Sequence, residues 1–358
     1  MVAYCLSLEM VSVNNRIYAG VVFMMFFSLG YMLISVIAYF VDNNWRMLQV
    51  VLTIPGLLFL VYWWFIPESN RWLLNTQHRK HEALKNILKI AKSNKTVVPK
   101  YILDELIKSE NDNLEKKEQK TSILDLFKHR NLRTKAMLIF LNWFVISGTY
   151  YGLSWNTNNI SRGKDINKDI FGVLIPTKLV DFFISGAVEI PAYIFLLLTL
   201  NRWGRKTILA GTMTLSGTSL LISVVLPKDM ERLITYMVQI GKMGITASYG
   251  TIYVFSVEQF PTVIRNVALG AASMSARVGG ILAPLLIHSK LTEKFNFLPP
   301  LVFGIAALIG GILSTLLPET NNMQLPDTIE DGERFGKKNV DQEELKVRND
   351  TKSETNEH

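Results

Sequence analysis

Residues 17–41 (IYAGVVFMMFFSLGYMLISVIAYFV) run for 25 positions without an Asp, Glu, Lys or Arg, and residues 47–66 (MLQVVLTIPGLLFLVYWWFI) for 20. At about 1.5 Å per residue, roughly 20 helical residues cross a hydrocarbon core about 30 Å thick. Blocks this long and this pure read as spans rather than core helices. Six further apolar blocks follow, at 136–155, 170–200, 207–227, 233–256, 267–288 and 298–317. Backbone N–H and C=O groups cannot stay unpaired in lipid, so a span is a helix or part of a closed barrel. A barrel would show alternating segments of about ten residues, and these blocks do not alternate. The pattern predicts an all-α polytopic membrane protein with eight spans.

Charge placement orients it. The stretch 67–135 carries 16 Lys and Arg, and NRWGRK at 201–206 carries three. The connections on the other side (42–46, 156–169, 228–232, 289–296) carry one to three each, offset by Asp or Glu. Basic residues near membrane ends mark the cytoplasmic side, so 67–135 and both termini are expected in the cytoplasm. The same rule accounts for the formal net charge of +8 without nucleic acid; the expected surroundings are a lipid bilayer. A single cysteine, Cys5, excludes an internal disulfide and offers no metal cluster. No basic n-region precedes a cleavage site, so a secretory signal peptide is not expected. Within 67–135, HEALKNILKIAK places Leu84, Ile87, Leu88 and Ala91 on one helical stripe. YILDELIK and SILDLFKH repeat the idea more briefly. The polar tail, 318–358, is expected to be mostly disordered. Asn159 opens a glycosylation sequon on the expected outer side.

The chain also repeats itself. Glu9 stands seven residues before Arg16, and Glu258 seven before Arg265. Glu9 to Glu258, Arg16 to Arg265 and Gly30 to Gly279 share one offset of 249 positions. After the following span, IPES at 66–69 matches LPET at 317–320, so that Glu68 corresponds to Glu319. Ordered correspondences of this kind are an internal repeat. Both copies lie on the expected cytoplasmic side, so the repeat is parallel, with an even number of helices per unit. Parallel six-helix repeats build the two halves of major facilitator transporters. The second copy has six helices, over 136–317, and its Glu258…Arg265 loop follows the fourth. The first copy has two helices, at about 17–41 and 47–66, after its Glu9…Arg16 loop. The repeat thus predicts three helices and most of a fourth ahead of Met1, with 1–66 a remnant of an N-terminal bundle.

PESNRWLL (67–74), NWFVISGTYYGLSWNT (142–157), SGAVEIPAYIF (185–195), NRWGRK (201–206), GKMGITASYGTIYVFSVEQFPTVIRN (241–266) and LPETNNMQLPDTIED (317–331) resemble the organic cation, carnitine and organic anion transporters of the major facilitator superfamily. The similarity covers nearly all of 1–331. Sugar porters share the PES, GRK and E…PT..R elements, but their glutamine-rich seventh helix is not found here. The resemblance implies the major facilitator fold, here a complete C-terminal six-helix bundle with the last two helices of the N-terminal one. It implies a plasma-membrane secondary transporter of a small organic ion, working by alternating access. The alternative is a transport-inactive form, truncated or incompletely predicted as a gene, or a regulatory partner of a full-length transporter. No coupling ion is identified by the residues.

Charged side chains inside spans are costly, roughly 2.5–3.5 kcal/mol each on insertion scales, and normally face a cavity or a partner. Asp181, Glu189, Lys242 and Arg277 lie well inside apolar blocks. Glu189 is expected either to line a central cavity, pairing with Lys242 or Arg277 when substrate is absent, or to form a permanent ion pair between helices. The resemblance aligns Arg277 with a position where classical cation transporters carry an aspartate and where anion and carnitine members have a basic residue nearby. A guanidinium there can hold a carboxylate in bidentate fashion, which favours an anionic or zwitterionic substrate. Trp143, Phe144, Tyr150 and Tyr151 by themselves read as packing aromatics; the resemblance turns them into lining of the substrate cavity, where a ring face attracts an ammonium. NRWGRK resembles the superfamily's cytoplasmic gating motif, with Asn201 where an Asp is commoner. Arg202, Arg205 and Lys206 then belong to a gate with Glu258, and Arg265 with Glu319; Glu9 and Arg16 are the corresponding pair of the first copy. These basic residues read alternatively as ordinary positive-inside anchors. No cofactor, metal site or enzymatic constellation is expected: five His and one Cys show no ligand spacing, and no nucleophile–base pair or phosphate loop is visible.

Overall fold

A computed structural model describes residues 15–41, 44–61, 66–70, 80–99, 124–160, 167–170, 173–261, 263–295, 297–321 and 328–336, with isolated positions among 4–11 and at 73, 323 and 326. Glu9 lies outside them. The chain forms two compact units. One comprises Met1–Phe23 and Ile37–Lys120, the other Met24–Val36 and Thr121–His358.

Helix α1 (Arg16–Phe40) is the first long apolar block, and its middle belongs to the second unit. In the first unit Tyr4 packs edge-on against Phe23, 5.6 Å between ring centres. Helix α2 (Trp45–Leu57) is opened by the Asn44 side chain, which accepts from the Met47 N–H. Of the span expected over 47–66, the described residues reach Val61, and 62–65 lie outside them. Pro55 has no N–H to continue the ladder, and the chain tightens into a 3₁₀ turn at Leu58–Val61. HEALKNILKIAK forms α3 (Lys80–Ser93); the YILDELIK stretch lies outside the described residues.

The second unit is a bundle. Its helices are α4 (Arg130–Ile160), α5 (Thr177–Ala187), α6 (Glu189–Trp203), α7 (Arg205–Val225), α8 (Glu231–Gln259), α9 (Arg265–Ile287) and α10 (Leu298–Ser314). The strongest packing is α9 on α4, with α7 between α8 and α10, and α6 on α8. Leu132, Ile139, Trp143, Ile146, Leu209, Ile245, Phe255 and Ala272 are among the buried residues of one continuous core. Gly279 is required where α9 crosses α4: a Cβ there would stand 2.3 Å from the Phe144 carbonyl oxygen. Its counterpart in the repeat, Gly30, has nothing within 4 Å of the equivalent point.

Three boundaries differ from the sequence reading. Helix α4 begins six residues before, and ends five after, the apolar block 136–155, and it places Asn159 of the sequon in its last turns. The block 170–200 does not start as a helix: an antiparallel hairpin of β1 (Asn167–Ile170) and β2 (Val173–Pro176) precedes α5. The region after 318, expected to be mostly disordered, contains a helix at Ile329–Arg334 with a capping box between Thr328 and Asp331. It is held to the start of α4. The Glu333 carboxylate accepts from the Asn131 and Leu132 N–H groups, and Lys135 Nζ donates to the Gly332 and Phe335 carbonyls.

Among the described residues five helical stretches are long and apolar enough to cross a membrane: Ile17–Phe40, Arg130–Trp155, Leu179–Trp203, Arg205–Val225 and Arg265–Ile287. Two shorter apolar helices, Trp45–Val61 and Leu298–Ser314, join them. Helix α8 has ample length, 29 residues, but a more polar face.

Candidate functional site

The span Leu179–Trp203 is broken at Val188, between α5 and α6. Pro191 supplies the reason: without an N–H it cannot bond the carbonyl four residues back. The break leaves Glu189 as the first residue of α6, inside the span and fully buried. Its carboxylate meets three donors. Oε1 accepts from the Tyr150 hydroxyl of α4 at 2.8 Å and faces Lys242 Nζ of α8 at 3.3 Å, while Oε2 accepts from the Ser28 hydroxyl of α1.

Lys242, equally buried, is held from the other side. Its Nζ donates to the Ser185 carbonyl at 2.8 Å and to the Ser185 hydroxyl. The same nitrogen stands 5.1 Å from the Tyr31 ring centre and 5.8 Å from that of Tyr150. Tyr31 in turn stacks on Phe182, 3.9 Å apart and nearly parallel. Five helices, α1, α4, α5, α6 and α8, therefore converge on one charge pair, and both charges are hydrogen-bonded beyond it, the condition under which burial of ions is tolerated.

The other expected residues fall into two groups. Trp143, about two turns from Tyr150 along α4, is buried; its Nε1 donates to Ser256 at 2.8 Å and its ring meets Tyr253 and Tyr249 edge-on. Tyr249 also tilts against Tyr150, so an aromatic chain leads from Trp143 to the Glu189 carboxylate. Phe144 packs against the core and Tyr151 is partly exposed beside Tyr150. Arg277 is exposed on α9; of the two partners expected for Glu189, it is Lys242 that is in contact.

A second cluster forms at the bundle end where α7 begins and α8 stops. Both Glu258 oxygens face the Arg205 guanidinium, at 3.1 and 3.3 Å, and Thr320 donates to the same carboxylate. Arg205 also donates to the Asn321 side chain. Glu319 takes a role that spacing did not suggest. It caps α7, accepting from the Arg205 and Lys206 N–H groups at 2.9 and 3.1 Å, and from those of Thr320 and Asn321. A carboxylate at a helix N-terminus satisfies free donors and meets the positive end of the dipole. Gly204 makes the approach possible: its φ of +85° suits glycine, and a Cβ would lie 2.5 Å from Glu319 Oε2. Arg265 Nε donates to the Phe260 carbonyl at 3.2 Å. Arg202 is exposed in the last turn of α6. Arg16 begins α1, and with Glu9 outside the described residues the first-copy pair is not seen.

Sequence reasoning missed Ser28, Tyr31, Ser185, Thr320 and Asn321. Hydroxyls in spans carry no periodic signal. Ser28 lies 161 residues from the carboxylate it binds, so no local pattern could join them.

Comparison with known proteins gives the family. The family model described as "Sugar (and other) transporter" matches residues 5–329. The "Organic cation transporter protein" of Drosophila melanogaster is 52% identical over 348 residues, covering 96% of this chain and 60% of its own length. The human "Organic cation/carnitine transporter 2" is 38% identical over 330 residues, covering 92% of this chain and 56% of its own. The chain thus spans about 60% of the length of the curated relatives it matches. Among solved structures, the proton:xylose symporter XylE of the major facilitator superfamily superposes with a TM-score of 0.67 at 19% identity, covering 94% of this chain and 70% of that one. With its apolar helices, this chain is a multi-pass membrane protein of the sugar (and other) transporter family in the major facilitator superfamily, with organic cation and carnitine transporters as curated relatives.

Proposed function

We propose that the protein belongs to a secondary transport system for small organic ions that works by alternating access. The observation that carries this is the Glu189–Lys242 pair, fully buried inside apolar helices and walled by Tyr150 and Tyr31. Intramembrane ionisable residues mark substrate and ion pathways by default. Relatives named for organic cations and carnitine support the same class. In this reading the chain has eight spans: a C-terminal six-helix bundle over 136–317 and two helices, about 17–41 and 47–66, of an N-terminal bundle. It resides in the plasma membrane, with 67–135 and both termini in the cytoplasm.

The substrate we favour is a zwitterion of the carnitine type. Glu189 would meet its ammonium and Arg277 its carboxylate. Arg205–Glu258 and the Glu319 cap would close the cytoplasmic side and open when substrate leaves. The test is uptake of carnitine and tetraethylammonium by proteoliposomes holding the 358-residue chain. Carnitine uptake above empty vesicles, reduced at least fivefold by Arg277→Gln, is expected; selective tetraethylammonium uptake overturns the zwitterion reading. A second reading rests on the match to about 60% of the relatives' length: the chain does not transport by itself and acts through a longer relative. Absence of uptake for both probes favours it.

A further inference from the structure

We infer that Lys242 is a built-in stand-in for the substrate's ammonium group: its Nζ occupies the seat that an organic cation takes when it binds. The inference rests on the transport reading above and adds to it a specific occupant and a competition.

Three observations carry it. First, the surroundings of Nζ are those that recognise an alkylammonium. A carboxylate, Glu189, stands 3.3 Å away, and two ring faces, Tyr31 and Tyr150, lie 5.1 and 5.8 Å from the nitrogen. Aromatic faces with an anion are the general solution for binding quaternary ammonium groups. Second, the seat is built without Lys242. Tyr31 is fixed by stacking on Phe182, and Glu189 by the Tyr150 and Ser28 hydroxyls. A helix-to-helix ion pair alone needs no such cage. Third, Lys242 has partners besides Glu189. Its Nζ donates to the Ser185 carbonyl at 2.8 Å and to the Ser185 hydroxyl. When an entering cation takes over the carboxylate, the ammonium therefore keeps two oxygen partners.

The consequence is a competition. An entering cation displaces Nζ from Glu189 and inherits both rings, so its measured affinity is lowered by the fraction of protein in which Lys242 holds the seat. Ser28 and Tyr31, both from α1, become positioning residues: they hold the carboxylate and one wall of the cage.

The experiment uses the purified 358-residue protein in nanodiscs and radiolabelled tetraethylammonium. Lys242→Gln is expected to tighten apparent Kd tenfold or more relative to the unmodified protein. Adding Glu189→Gln to that variant should abolish the gain. Adding Tyr31→Leu should weaken binding about 2- to 30-fold, while Tyr31→Phe should leave it within about twofold. Equal or weaker binding by Lys242→Gln overturns the inference. Should Lys242→Gln not purify in folded form, Lys242→Ala prepared with n-butylammonium gives the answer. Its Tm should rise with n-butylammonium but not with n-butanol, and should not rise in Lys242→Ala/Glu189→Gln; equal responses to amine and alcohol overturn the inference. The transport reading fails separately. Carnitine uptake by the unmodified chain with no gain from Lys242→Gln leaves that reading standing and removes only the stand-in.

Discussion

Two ion pairs in this protein use the same kinds of charge in opposite circumstances. Glu189 and Lys242 are both fully buried, 3.3 Å apart, inside helices of the second unit. Arg205 and Glu258 lie at the bundle end with side chains 9% and 17% exposed, 3.1 Å apart. The first pair is surrounded by hydroxyls and rings, the second by an amide side chain, a threonine and a capped helix end. What differs is what replaces each partner once contact is lost. At the bundle end, where both side chains keep some exposure, water can reach each partner once contact is lost; inside the span only another side chain or a ligand can replace it. A pair that must open in every cycle is inexpensive to break at the end and needs a substitute in the middle, and that asymmetry suits the roles proposed for each.

The contrast can be broken by mutation, beginning where the effect is greatest. Glu189→Ala takes the counter-charge from the buried Lys242 ammonium, leaving it only the neutral Ser185 oxygens, and should lower stability by about 3–5 kcal/mol, read as a fall in Tm in nanodiscs or detergent. Glu189→Ala/Lys242→Met should recover most of that loss. If the single variant costs no more than an exposed pair, about 1 kcal/mol or less, the buried pair is not the strongly coupled unit described. Glu258→Gln should cost about 1–3 kcal/mol, because hydrogen bonds to a charged group are lost at Arg205 and Thr320. Its deficit should shrink between low salt and 1 M NaCl, while that of Glu189→Ala should not; parallel salt responses would erase the distinction. Glu319→Gln keeps one acceptor oxygen on the start of α7 and removes the charge, so a loss of about 0.3–1 kcal/mol is expected. The smallest effect belongs to Gly30→Ala, within about 0.5 kcal/mol, against a clear loss of Tm for Gly279→Ala, whose added methyl meets the Phe144 carbonyl.

Much of this arrangement was readable along the chain, for reasons that particular residues make plain. Trp143 and Tyr150 sit seven positions apart, two turns of α4, and both turn inward. Glu189 and Lys242 are conspicuous because charge inside apolar runs is rare. Arg205 and Glu258 stand out by their places at the ends of such runs. Arg277 shows the limit of that reasoning. It is as deep in its block as Lys242 is in its own, yet its side chain is exposed and Glu189 pairs with Lys242 instead. Which face of a helix a residue takes depends on neighbours that hydropathy does not name. Glu319 shows another limit, since its partners are backbone N–H groups, which every residue but proline carries.

The sequence by itself determined the apolar spans, the internal repeat and the family, because hydropathy, spacing and motif are properties of a string. Only the tertiary structure decided that Lys242 and not Arg277 meets Glu189, that Ser28 and Tyr31 join them, and that Glu319 caps a helix. The physical reason is common to all three. Each is a short-range contact, effective over a few ångströms, between residues far apart in the chain, and only packing brings such residues within range.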